Sequence, residues 1–149
     1  MFAVDFRMAS GADGLFRHMK NPDSCPCGAG LKYVVCCGRL HSGEPAATAE
    51  ALMRSRYAAF VMGNESYLLA TWHPSTRPAS VPFDHQQKWL GLRILDACAT
   101  GSSTAEIEFI ARYRIGGASA SRLHERSRFV KEGGRWFHVD GYFQALPDR

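Results

Sequence analysis

The 149-residue sequence has no apolar run near the roughly 20 residues that a bilayer-spanning helix needs, which excludes a helical membrane span. It also lacks internal repeats and low-complexity tracts, so solenoid, fibrous and disordered readings fall away. Excess charge is scarce: 18 Lys and Arg stand against 14 Asp and Glu, a net of +4 with no basic tail. That balance lends nucleic-acid binding no support. The N-terminal stretch is interrupted by Asp5, Arg7, Asp13, Arg17 and Lys20, so it lacks the apolar core of a secretory signal, and the chain reads as cytoplasmic. A disulfide framework is missing too. The five cysteines are an odd number, and Cys25, Cys27, Cys36 and Cys37 crowd together while Cys98 stands alone.

What remains is an ordinary globular composition, 46% hydrophobic and 21% charged, enough for one core. The turn cluster Asn21-Pro22-Asp23-Ser24 divides a leader over residues 1–23, expected to be poorly ordered, from a small cysteine unit at 24–38. A polar linker at 39–45 leads to a main domain at 46–149. In that domain Ala49, Leu52, Met53, Arg56, Tyr57 and Phe60 recur at helical spacing within Ala47–Val61, and Gly63 ends the helix. Asn64 is placed to cap a shorter helix through Tyr67, Leu68, Leu69 and Trp72, stopped by His73-Pro74.

From about Trp89 the period falls to two. Leu90, Leu92 and Ile94 share one face of a first strand; in a second, Ile107, Phe109, Ala111, Tyr113 and Ile115 oppose Glu106, Glu108, Arg112 and Arg114. Gly116-Gly117 turns the chain, a third strand follows over Ser121–Lys131, and Glu132-Gly133-Gly134-Arg135 signals a hairpin into a fourth over Trp136–Phe143. Helices followed by an antiparallel meander define an α+β plan.

The cysteine unit has the spacing C-x-C-x8-C-C, with Gly28 and Gly30 in the intervening loop. Two thiolate pairs around a glycine turn can converge on one tetrahedral ion, whose ligation would supply folding energy that so small a unit cannot find in a core. A closed four-thiolate shell makes the ion structural. Zn2+ is the default, and iron also suits a sulfur-rich site. A vicinal Cys36–Cys37 disulfide and simple buried thiols are the alternatives.

Cys25 to Gly38 resembles the SEC-C motif, a small zinc-binding unit in which the fourth ligand is Cys or His; here it would be Cys37. Ala29 stands where serine is usual, and Val34-Val35 where basic residues are common. The remainder is similar to the YchJ-like family through Leu52–Tyr57, Tyr67–Arg77, Leu123–Phe129 and Trp136–Gly141. The resemblance covers about 24–149 and implies a nuclear-transport-factor-two-like cone, a curved antiparallel sheet closed by helices around a pocket, preceded by a zinc knuckle. Members of that family have no characterised biochemical role.

In such a cone, polar residues on apolar faces become candidates for the pocket. Glu125 shares a strand face with Leu123, Ser127 and Phe129, and Arg56 on the first helix is its natural ion-pair partner. Trp72-His73-Pro74-Ser75-Thr76-Arg77 is the densest polar cluster, able to supply a near-neutral acid–base group beside an anion-binding one, or simply to stop a helix. Tyr57 and Asp140 could add a donor and an acid. Cys98 reads as a small buried hydrophobe. Arg112, Arg114, Arg122, Arg126 and Arg128 make an outer-face stripe without the aromatics of a single-strand platform.

Two functions compete. One is a zinc-binding accessory or adaptor protein whose knuckle offers Leu31, Tyr33 and Val34 to a protein partner. The other is a small-molecule-binding protein or enzyme using a pocket lined by Arg56, Tyr57, Trp72, His73, Arg77 and Glu125. Neither involves nucleic acid or a membrane span.

Overall fold

The computed structural model describes residues 23–144, so the expected leader, Asp23 apart, lies outside the described residues. The cysteine unit begins with an antiparallel bridge between Ser24 and Lys32, continues through a 3-10 turn at Tyr33–Val35, and enters helix α1 at Cys37–His41. Part of the expected linker is therefore helical, with Leu40 buried.

Helix α2 spans Ala49–Met62 and α3 spans Glu65–Ala70. The start of α2 is set by Thr48, whose hydroxyl accepts from the Ala51 amide at 3.0 Å and satisfies a backbone donor that the first turn leaves open. Its end is set by Gly63, which takes a left-handed φ of 68° that a Cβ would disfavour. The Asn64 side chain then accepts from the Tyr67 amide at 3.2 Å and caps α3. More of α2 is buried than its apolar stripe foretells. Leu52, Met53 and Tyr57 face the sheet, Ala58 joins the cysteines, and Ala59 packs with Leu68 and Val81.

Strands β1 (Gln87–Ala99), β2 (Thr104–Ile115), β3 (Ser121–Glu132) and β4 (Arg135–Phe143) form one antiparallel sheet in chain order. Ile107, Phe109, Ala111 and Phe129 line its covered face and build the core with α2. Burying a side chain such as Phe129 contributes about 2 kcal/mol. The α+β plan and the inward set Leu123, Glu125, Ser127 and Phe129 hold.

Three facings differ from expectation. A β-bulge between Trp89 and Gly91 shifts the alternation, so Trp89 rather than Leu90 packs on the core with Leu92 and Ile94. Gly91 meets the bend with a φ of 155°. Ile115, at the far end of β2, is exposed. Cys98 is also exposed. It pairs with Glu106 on the outer face, near the end of an edge strand whose last five residues, Leu95–Ala99, are all solvent-facing.

On that outer face Arg126 binds Glu106, Glu108 and Asp96 at 2.6, 2.9 and 3.2 Å, and Arg128 grips Asp140 through two contacts of 2.7 Å. Two of the five arginines of the stripe, Arg126 and Arg128, are thus neutralised within the sheet.

Candidate functional site

The cysteine unit is built from short-range hydrogen bonds. Cys25 N–H donates to Leu31 O at 2.8 Å, Tyr33 N–H to Asp23 O at 2.8 Å, and Cys36 N–H to Tyr33 O at 3.0 Å, folding the loop back on itself. Gly28 and Gly30 take φ of 82° and 87°, the left-handed values that this reversal demands. Gly38 is needed for a different reason: a Cβ there would lie 2.7 Å from the Tyr33 carbonyl oxygen.

The result brings the Sγ atoms of Cys25, Cys27, Cys36 and Cys37 within 4.8 Å of one another, with Cys27 and Cys36 3.6 Å apart. Ligands around a tetrahedral ion with Zn–S bonds of about 2.3 Å stand about 3.8 Å apart, so the donor set fits a metal ion. All four are free thiols, and Cys25, Cys27 and Cys37 are buried. Their electrostatics point the same way. A hydrogen bond from Cys37 pulls the Cys27 thiol down to about 5 against its burial. Burial, then the hydrogen bond with Cys27 and its charge, pushes Cys36 up to about 11, and the hydrogen bond to Cys27 raises Cys37 as well. One thiolate is accommodated by its neighbours' protons, while further negative charge needs a cation.

The unit is fastened to α2. Arg54 Nη1 donates to Cys27 O at 2.9 Å, Ala58 packs against the cysteines, and His41 reaches Ser55 O at 2.8 Å.

A second feature lies between α2 and the concave sheet face: a cavity of about 450 Å³ with an apolar wall into which Arg56, Tyr57, Trp72, Glu125 and His138 project. Arg56 is 3% exposed and forms no ion pair among the described residues. Its Nη1 donates to Leu68 O at 2.9 Å and Thr71 Oγ1 at 2.7 Å, and its guanidinium lies 4.8 Å from the centre of the Trp72 ring. Burial lowers its pKa to about 10, which leaves it charged at neutral pH. Glu125 accepts from Ser127 Oγ at 2.8 Å, and burial pushes its carboxyl up. Burial likewise raises Tyr57 to about 12 and lowers His138 to about 3.

With this geometry in place, comparison with known proteins assigns the two parts. Residues 48–141 match the description "YchJ, middle NTF2-like domain", and residues 22–39 match the SEC-C motif. The chain belongs to the YchJ-like UPF0225 family. Similar relatives include a UPF0225 protein of Xanthomonas campestris pv. campestris, 55% identical over 120 residues that cover 79% of this chain and 93% of that one. Another, from Streptomyces coelicolor, is 55% identical over 123 residues covering 80% and 94%. Among solved structures, a SEC-C motif containing protein of Rhodopseudomonas palustris superposes with a TM-score of 0.70 at 40% identity, covering 79% of this chain and 96% of that one. One from Psychrobacter arcticus superposes with a TM-score of 0.68 at 26% identity, covering 83% and 84%. The YchJ-like fold and the SEC-C unit are thereby shown, and the four cysteines can hold a metal ion.

Within this YchJ-like domain, four of the six pocket candidates converge on the cavity and two do not. His73 instead bonds Ser75 Oγ at 2.7 Å and Glu132 at 3.1 Å, and Arg77 Nε donates to Trp72 O at 3.0 Å in an exposed loop. They fasten the segment after α3 rather than face the cone. The expected Arg56–Glu125 ion pair is not formed. Arg56 is drawn instead to the Leu68 carbonyl in the last turn of α3 and to the Thr71 hydroxyl just beyond it. The Asp140 carboxylate is taken by Arg128. Two further residues at the cavity carry no local signal that marks them: His138, two positions after Trp136 in β4, and Gly141, where a Cβ would overlap Glu125 Oε2.

Proposed function

We propose that the four cysteines hold one Zn2+ ion as a structural staple, and that the protein is a cytoplasmic accessory or adaptor protein that contacts a protein partner through the rim of this knuckle. The observation that carries the reading is an exposed apolar rim on the cysteine unit: Leu31, Val34 and Val35 are 51%, 69% and 53% exposed beside buried cysteines. Contiguous exposed apolar side chains of this kind mark protein contact sites. Tyr33 is not part of the rim, because its hydroxyl turns inward to His41 Nδ1 at 2.7 Å. Metal ligation supports the rim by fixing the loop that carries it. The ion has a supporting rather than a reactive role, since four thiolates leave no open coordination position. Soft thiolate ligands also suit iron, and metal analysis separates the two.

The test is a crosslinking capture from cells with wild-type protein and Leu31→Asp/Val34→Asp, a change that leaves every cysteine in place. Loss of a specific partner with metal content unchanged is the expected result. Retention of every partner by this variant, and by a folded Cys36→Ser/Cys37→Ser variant, would sink the adaptor reading.

A further inference from the structure

We propose that the cone cavity binds a small carboxylic acid with an apolar body, its carboxylate held by Arg56. The cavity opens to solvent on one side and, at about 450 Å³, falls in the range of small-ligand sites. Met53, Phe60, Trp89, Phe109, Ala111 and Leu123 make its wall, so most of an occupant must be apolar.

The charge on that wall is unbalanced. Of the titratable groups at the cavity, Tyr57 and His138 are held neutral by burial, and the Asp140 carboxylate is spent on Arg128. Burial pushes the Glu125 carboxyl up, against the Ser127 hydrogen bond and the Arg56 charge that hold it down, and Glu125 is not in ion-pair contact with Arg56. Arg56 is therefore a buried cation with no carboxylate in hydrogen-bond contact, and Glu125 acts on it only across the cavity. Its contacts to α3 use only Nη1, which leaves Nε and Nη2 without a hydrogen bond to the described residues. A planar fork with two free N–H donors along one edge is the geometry that receives a carboxylate. His138, 9% exposed on the same wall, has a buried Nδ1 with no partner, a second polar group that the fold does not satisfy.

Trp72 and Trp89 line the cavity and supply the readout. The full chain is titrated with hexanoate, benzoate and phenylpropionate, and with their primary amides, while tryptophan fluorescence is followed. At least one acid should give a saturable change, with its amide about tenfold weaker, the value of one charged hydrogen bond. Arg56→Met should abolish the preference for acid over amide. Because Arg56 also ties α2 to α3, that variant could fail to fold. Thr76→Phe, at an exposed position on the rim, then decides, and should weaken acid binding while leaving the circular dichroism unchanged. Absence of saturable binding by all three acids, equal binding of acid and amide, or acid binding unaffected by Thr76→Phe would overturn the proposal.

Discussion

His41 Nε2 lies 2.8 Å from the carbonyl oxygen of Ser55, and this bond joins the cysteine unit to the helix that roofs the cone. A carbonyl only accepts, so Nε2 carries the proton and Nδ1 must accept from the Tyr33 hydroxyl at 2.7 Å. Burial lowers the imidazole pKa and keeps this neutral tautomer in place. The knuckle is thus continuous with the main domain through a defined chain of donors. His41→Ala should destabilise the protein by about 2 kcal/mol, read as a lower urea midpoint, because it leaves the Ser55 carbonyl and Tyr33 hydroxyl unpaired. An unchanged midpoint would mean the two parts are energetically independent.

Gly141 makes room for the Glu125 carboxyl. A Cβ at that position would overlap Oε2 and approach Ser127 Oγ at 2.9 Å. Gly141→Ala should therefore cost about 1–3 kcal/mol in chemical denaturation. In a Glu125→Ala background the same substitution should cost much less, and this double-mutant cycle checks the contact.

Acid sensitivity follows from His138. Burial, reinforced by the Arg56 cation, lowers its pKa from 6.5 to about 3, so the folded form keeps it neutral. The unfolded chain binds that proton first. The stabilisation is therefore complete above about 6.5 and declines as pH falls toward 3. His138→Phe keeps a ring between Trp72 and Phe129, its edge-on neighbours, and removes the titration. Denaturant midpoints between neutral and mildly acid pH should give a slope shallower by up to about 1.4 kcal/mol per pH unit than in the wild type. Parallel slopes would count against the assignment.

The position of Cys98 gives a thiol count. In metal-loaded protein it should be the one rapidly modified cysteine, since the other four of the chain's five would be ligands. Chelation should release the other four and make all five reactive, and Cys98→Ser should remove the fast phase only.

Much of this architecture was legible in the sequence because periodicity and turn residues were strong. Gly63 and Asn64 marked the boundary between α2 and α3, and alternation along β3 placed Glu125 on the concave face. The cysteine spacing foretold convergence that the Sγ positions realise. What escaped depended on contacts distant in sequence. The Trp89–Gly91 bulge reverses the facing of one strand segment, and no local pattern announces it. Arg56 had two acceptors in reach, and only the path of α3 shows that the Leu68 carbonyl wins over Glu125. Cys98 was expected in the core as a small hydrophobe, whereas the β1–β2 register pairs it with Glu106 on the outer face.

The account rests most directly on the metal, so the deciding measurement is elemental analysis of the purified full chain. It predicts about one zinc per chain, retained through dialysis and lost in Cys36→Ser/Cys37→Ser. Stably folded protein with no bound metal and with all five cysteines as reactive thiols would contradict it.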